Sequence, residues 1–154
     1  MLPVGTLSPS SISVADPASS KKRVLEQAAR LLAANAEEPA AELIFERLLE
    51  RERLGSTGLV GGVALPHARI PGIEESRGAF LRLLEPVPFD ALDDQPVDLI
   101  FALLVPEDAT AQHLQLLAEL AGMFNEGALR ERLREADAEQ AMSILAGKPG
   151  THAA

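Results

Sequence analysis

The run Val97-Asp98-Leu99-Ile100-Phe101-Ala102-Leu103-Leu104-Val105, closed by Pro106, is apolar at every position except Asp98. A strand with one wet face alternates apolar and polar residues, whereas this one has no polar face to offer to water. It reads as a central strand covered on both sides, and that requires helices above and below a sheet. Upstream, Gly78 to Glu85 alternates, with Ala79, Leu81 and Leu83 opposite Phe80, Arg82 and Leu84, and Pro86 and Pro88 are expected to end it. Val63 to Leu65 is a third apolar run, entered through Gly61-Gly62 and stopped by Pro66. Ser11 to Ala15 alternates weakly and reads as an edge strand.

The intervening segments have helical periodicity. Ser19 or Ser20 caps a helix whose apolar stripe is Val24, Leu25, Ala28, Leu31 and Leu32, with its end marked by Asn35. Glu37-Glu38-Pro39 is expected to open a second helix, with Ala41, Ile44, Phe45 and Leu48 on its apolar face and Gly55 at its end. After Pro106-Glu107-Asp108, Thr110 is the expected cap of a helix carrying Leu114, Leu117, Ala118, Ala121 and Phe124. Two further helices fit Ala128 to Glu135 and Ala138 to Leu145. The predicted order is β-α-α-β-β-β-α-α-α, and the expected class is α/β: a three-layer α/β/α sandwich around a mixed sheet. Residues 1–10 are expected to be a loose arm, 11–147 one domain, and 148–154, with His152, a frayed tail.

Composition narrows the function. The 154 residues carry 14 basic and 23 acidic side chains, a net charge of −9 that disfavours nucleic-acid binding. The absence of Trp and Tyr removes most stacking surface for bases. There is no cysteine, so thiol chemistry is excluded and a reducing cytoplasm fits. No apolar run has the length of a membrane span, and the N-terminus lacks the pattern of a secretory signal. The expected location is cytoplasmic, without direct membrane insertion. An acidic chain also predicts an electropositive or neutral patch on whatever protein it binds.

Histidine is scarce, and two of the three stand at element ends. His67 follows Pro66, which should terminate sheet pairing and leave the imidazole on a loop mouth. His113 falls in the first turn of a helix, where unpaired N–H groups favour an anion. With Arg51 and Arg69 they suggest phosphoryl transfer, since imidazole exchanges protons and phosphoryl groups near neutral pH. The plain alternatives are a loop histidine bonded locally and an exposed residue of a helical turn. Gly58-Leu59-Val60-Gly61-Gly62 lacks the Gly-Lys-Ser/Thr of a phosphate loop, so its glycines read as a tight turn approaching a neighbour. A metal site would need Asp90, Asp93 or Asp94 beside the two histidines; that cluster reads more simply as a solvated turn. No Gly-x-Ser-x-Gly elbow supports a serine hydrolase.

Two stretches carry a family resemblance: Gly55-Ser56-Thr57-Gly58 through Ala64-Leu65-Pro66-His67-Ala68-Arg69, and Phe89-Asp90 through Pro96-Val97-Asp98-Leu99 to Pro106, Thr110 and His113-Leu114. Together they resemble the enzyme IIA domain, fructose/mannitol type, of the bacterial phosphoenolpyruvate-dependent phosphotransferase system. The Gly-Ser-Thr-Gly turn and the stand-alone length are most similar to its nitrogen-regulatory branch, over residues 11–147. The resemblance implies that His67 is the phosphoryl acceptor, His113 the second active-site histidine and Arg51 an active-site arginine. It implies a phosphotransferase component that needs no cofactor and no metal, with an HPr-type phosphocarrier as donor. Val60 stands where the family commonly has glycine, and Gly61 where a polar residue is frequent. Three roles stay open on sequence: a phosphocarrier that signals nitrogen, carbon or ion status to proteins such as sensor kinases or transporters, a sugar-uptake component passing phosphate to a IIB domain, and a binding-only regulator.

Overall fold

A computed structural model of the chain describes residues 2–3, 5–34, 36–108 and 111–146. In chain order the elements are β1 (Ile12–Asp16), α1 (Lys21–Ala33), α2 (Ala41–Leu54), β2 (Val63–Ala64), β3 (His67–Ile70), β4 (Arg77–Val87), β5 (Val97–Pro106), α3 (Ala111–Phe124), α4 (Gly127–Glu135) and α5 (Ala138–Ala146), with a short 3-10 turn at Pro9–Ser11. The expected Thr110 cap, the Asn35 helix end and the tail over 148–154 lie outside the described residues.

β5 is the spine of a mixed sheet ordered β1-β4-β5-β2, with β3 also on β5. β4 runs antiparallel to it, and β1 runs parallel to β4. β2 and β3 both run parallel to β5, against Leu99–Ile100 and Leu103–Pro106 respectively. Side chains of β5 alternate between two apolar clusters. Ile100, Ala102 and Leu104 join Val24, Leu25, Ile44 and Leu48 of α1 and α2. Leu99, Phe101, Leu103 and Val105 join Leu116, Leu120, Phe124, Leu133 and Leu145 of α3, α4 and α5. This is the three-layer sandwich expected of a strand without a wet face.

The element order departs from expectation at one point: a fifth strand, β3, stands between β2 and β4. Proline lacks only the N–H, and its carbonyl can still accept; Leu103 N donates to Pro66 O at 2.9 Å. Pairing with β5 therefore breaks for about a residue and resumes, so His67 opens a strand instead of sitting on a loop. Pro86 likewise lies within β4, which runs on to Val87.

Three smaller expectations shift, and one is resolved. α2 begins at Ala41, behind the cap position Ala40, with Glu37 to Pro39 ahead of it in a turn. The buried face of α3 is Leu116, Leu120 and Phe124, a strict i, i+4, i+8 stripe, and Leu114 is left 57% exposed. The segment expected to be a loose arm packs instead: Leu2 and Leu7 are buried in the α3–α5 cluster, and Gly78 N donates to Thr6 O. Ser20 is the cap of α1, its hydroxyl accepting from Arg23 N at 3.1 Å, a bond worth about 1 kcal/mol.

The Gly61-Gly62 pair is structural. Both residues have positive φ, +82° and +79°, and a Cβ on either would lie within 2.7 Å of an α4 arginine side chain. Arg130 fills the space at Gly61 and Arg134 that at Gly62, Arg134 bonding Gly61 O at 2.8 Å and forking onto Asp98 at 2.8 and 3.0 Å. Gly62→Ala is expected to cost about 1–3 kcal/mol through backbone strain, and more if Arg134 cannot move away. Gly55, extended and facing open space, should accept alanine with little loss. Thermal unfolding of the two variants distinguishes them; equal midpoints would refute this reading of the pair.

Candidate active site at the β2–β3 edge

Side-chain parity carries through the break at Pro66. Val63 and Leu65 face the α3 side of the sheet, while Ala64, Ala68 and Ile70 face α1 and α2. His67 and Arg69 follow the odd parity and so project to the α3 side at the sheet edge. There the last turns of α2 and the first turn of α3 enclose a cleft of about 600 Å³, lined by Arg51, His67, Arg69 and His113 among others. All four residues singled out from sequence thus meet in one place.

His67 is half-buried, and its Nδ1 lies 2.8 Å from Leu65 O. A carbonyl can only accept, so the geometry assigns the proton to Nδ1 and the lone pair to Nε2. Burial lowers the His67 pKa from its ordinary 6.5. The Leu65 bond opposes that shift, the Arg51 guanidinium adds to it and the Glu52 carboxylate opposes it. The net effect is a neutral imidazole with an unprotonated nitrogen, the state a nucleophile needs.

Arg51 closes the end of α2, donating from Nη1 to Gly55 O at 2.9 Å. Its place one helical turn after Arg47 puts both on one face of α2, and Arg47 Nη1 donates to Arg69 O at 3.4 Å. Arg53 joins them, so four arginines and one carboxylate, Glu50, line the cleft of a chain that is acidic overall. His113 occupies the first turn of α3, where helix N–H groups and the macrodipole present positive charge. An oxyanion seated here would meet cations on several sides. Leu54, 85% exposed, and Leu114 give the mouth an apolar rim.

Residues 6–148 match the family described as the phosphoenolpyruvate-dependent sugar phosphotransferase system, EIIA 2. The chain belongs to this family. A nitrogen regulatory protein of Pseudomonas aeruginosa is 52% identical over 126 residues, 82% of each chain. Another from Bradyrhizobium diazoefficiens is 41% identical over 151 residues, 96% of each. The crystal structure of nitrogen regulatory protein IIA-Ntr from Neisseria meningitidis superposes with a TM-score of 0.85 at 46% identity, covering 91% of this chain and 96% of that one. The chain is therefore a phosphotransferase-system IIA domain with the sandwich fold of that family.

Sequence reasoning missed several residues of this IIA domain's cleft. Arg47 and Arg53 were not singled out among the charged residues of α2. Glu52 is 7% exposed and continues the buried stripe Ile44, Leu48, Glu52. A carboxylate at the third position of an apolar i, i+4 stripe was the available signal. The Asp cluster has structural partners: Asp93 accepts from Gly61 N and Gln95 N, each at 3.1 Å, and Asp90 lies 3.7 Å from Lys21 Nζ. Among the described residues no group of three or more His, Asp or Glu side chains is arranged to hold a metal ion, and no helix is long and apolar enough to cross a membrane.

The lowered His67 pKa has a definite sign in solution. The unfolded chain takes up a proton near pH 6.5 that the folded protein refuses until lower pH. Stability from this group is whole above 6.5 and is lost as pH falls through the folded value. Proton NMR should give a His67 midpoint below 6.5, moving up toward it in Arg51→Gln. A wild-type midpoint at or above 6.5 would contradict the assigned environment.

Proposed function

We propose that this IIA domain accepts a phosphoryl group on His67 Nε2 from an HPr-type phosphocarrier and that its phosphorylation state governs which proteins it binds. The observation that carries the proposal is the bond from His67 Nδ1 to Leu65 O, which leaves Nε2 as the nucleophilic nitrogen at an arginine-lined cleft. The donor arrives as a phosphohistidine. Its P–N bond breaks as the new bond from phosphorus to His67 Nε2 forms. The donor ring keeps the electron pair and takes a proton afterwards. Little covalent work falls to the protein, so positioning and charge stabilisation dominate. Arg51 and the first turn of α3 with His113 face the equatorial oxygens as charge spreads over them.

The same cleft explains a switch. Phosphorylation adds about −1.5 to −2 charges among four arginines. The acidic chain led to the expectation of an electropositive or neutral partner patch, but around His67 the wall is basic with an apolar rim. A partner face that fits it is acidic or apolar, and phosphorylation weakens its hold by neutralising the arginines. The nitrogen regulatory relatives support a regulatory target, such as a sensor kinase or transporter, over transfer to a sugar-specific IIB domain.

Mixing with phosphorylated carrier should add the mass of one phosphoryl group, labile to acid and stable to base. His67→Ala should add none, and normal labelling of that variant would refute the assignment. His113→Ala should slow transfer tenfold or more, about 1.4 kcal/mol of barrier, with donor affinity little changed. Rates equal to the unsubstituted protein would reduce His113 to a wall residue.

A further inference from the structure

Among the described residues Glu52 is the buried carboxylate close to the cleft, and the phosphotransfer chemistry above does not use it. Its side chain is 3% exposed. Burying a carboxylate is costly unless hydrogen bonds and a counter-charge compensate. Both compensations are present. Thr57 N donates to the two oxygens at 2.7 and 3.1 Å, and Thr57 Oγ1 donates at 2.6 and 2.9 Å. Lys21 Nζ lies 3.8 Å away. An apolar residue at this position would complete the Ile44–Leu48 stripe without those requirements, so the carboxylate calls for a reason.

The reason lies further along the hydrogen bonds. Thr57, pinned by Glu52, accepts from Leu65 N through its own carbonyl at 3.1 Å. The carbonyl of that same Leu65 takes His67 Nδ1–H at 2.8 Å. One peptide segment is thus held at its N–H by Thr57 and uses its C=O to orient the imidazole. Its neighbour Pro66 has no N–H, so it cannot donate a bond that would fix this corner in Thr57's place. We infer that Glu52 is a positioning residue for His67: through Thr57 and Leu65 it fixes the ring with Nδ1 protonated and Nε2 unprotonated at the cleft. The negative charge behind the ring also raises the proton affinity of His67, opposing Arg51, and so keeps Nε2 basic enough to attack.

The inference rests on His67 being the acceptor, but its primary readouts do not. Nitrogen-15 NMR of the unphosphorylated protein reports the His67 tautomer and its titration midpoint directly. The unsubstituted protein should hold the Nδ1–H form, which is the minor neutral form of a free histidine side chain. Glu52→Gln, which keeps shape and loses charge, should mix in the Nε2–H form and lower the midpoint. Thr57→Val should mix tautomers while moving the midpoint less, because the carboxylate remains. Thr57→Ser keeps the hydroxyl and should restore the original tautomer. Phosphoryl uptake from the carrier should fall tenfold or more in Glu52→Gln, with carrier affinity unchanged. A folded Glu52→Gln protein with an unaltered tautomer and midpoint overturns the inference. Should Glu52→Gln fail to fold, Thr57→Val with an unaltered tautomer overturns it. Failure of the unsubstituted protein to be labelled at His67 would instead overturn the acceptor assignment and leave the tautomer comparison intact.

Discussion

β5 has no face or edge in water along most of its length, so its backbone N–H and C=O groups must be met by other strands. That constraint sets the rest of the molecule. β4 meets one side in antiparallel register, and β2 and β3 share the other as one strand interrupted at Pro66. At the interruption β5 still needs an acceptor for Leu103 N, and the proline carbonyl supplies it. Leu65, next to it, donates its N–H to Thr57 O and leaves its own carbonyl to a side chain. His67 takes that carbonyl. The pairing of polar backbone around this strand thus bears directly on the tautomer of His67.

Electrostatics then act on a ring already fixed in place. Burial and Arg51 favour the neutral imidazole, while the Leu65 bond and Glu52 hold its basicity up. The balance suits a carrier, which must take a phosphoryl group and release it again. Four arginines stand in the cleft, but Arg47 and Arg51 each also bond a backbone carbonyl. Their charge is placed by the ends of α2 and β3, so the site presents cationic walls that do not need to reorganise when an anion arrives.

Much of this was legible in the sequence, and what was not has physical causes. The unbroken apolar run from Leu99 to Val105 fixes a covered strand, and hence helices on both sides, without any structural information. His67, His113, Arg51 and Arg69 were identifiable by residue type and position, and they line one cleft. β3 was missed because proline was taken to end pairing, although it removes a donor and leaves an acceptor. The face of α3 was read correctly at Phe124 and at Leu117 and Ala121, which pack against the core, but Leu114 stays exposed and Leu116 and Leu120 carry the buried stripe instead. The first ten residues looked loose from their glycine, serine and proline content, yet Leu2 and Leu7 find room against α3–α5. Glu52 escaped notice because a glutamate among arginines on a helix reads as surface, and only the stripe behind it contradicts that.

The central claim is that the fold commits Nδ1 of His67 to Leu65 and leaves Nε2 to attack. The most direct test is the regiochemistry of the phosphorylated protein, read by nitrogen-15 and phosphorus-31 NMR after transfer from the carrier. The account predicts a single phosphohistidine at position 67 with phosphorus on Nε2 and with Nδ1 still protonated. Phosphorus on Nδ1 of His67, or on His113, would contradict it.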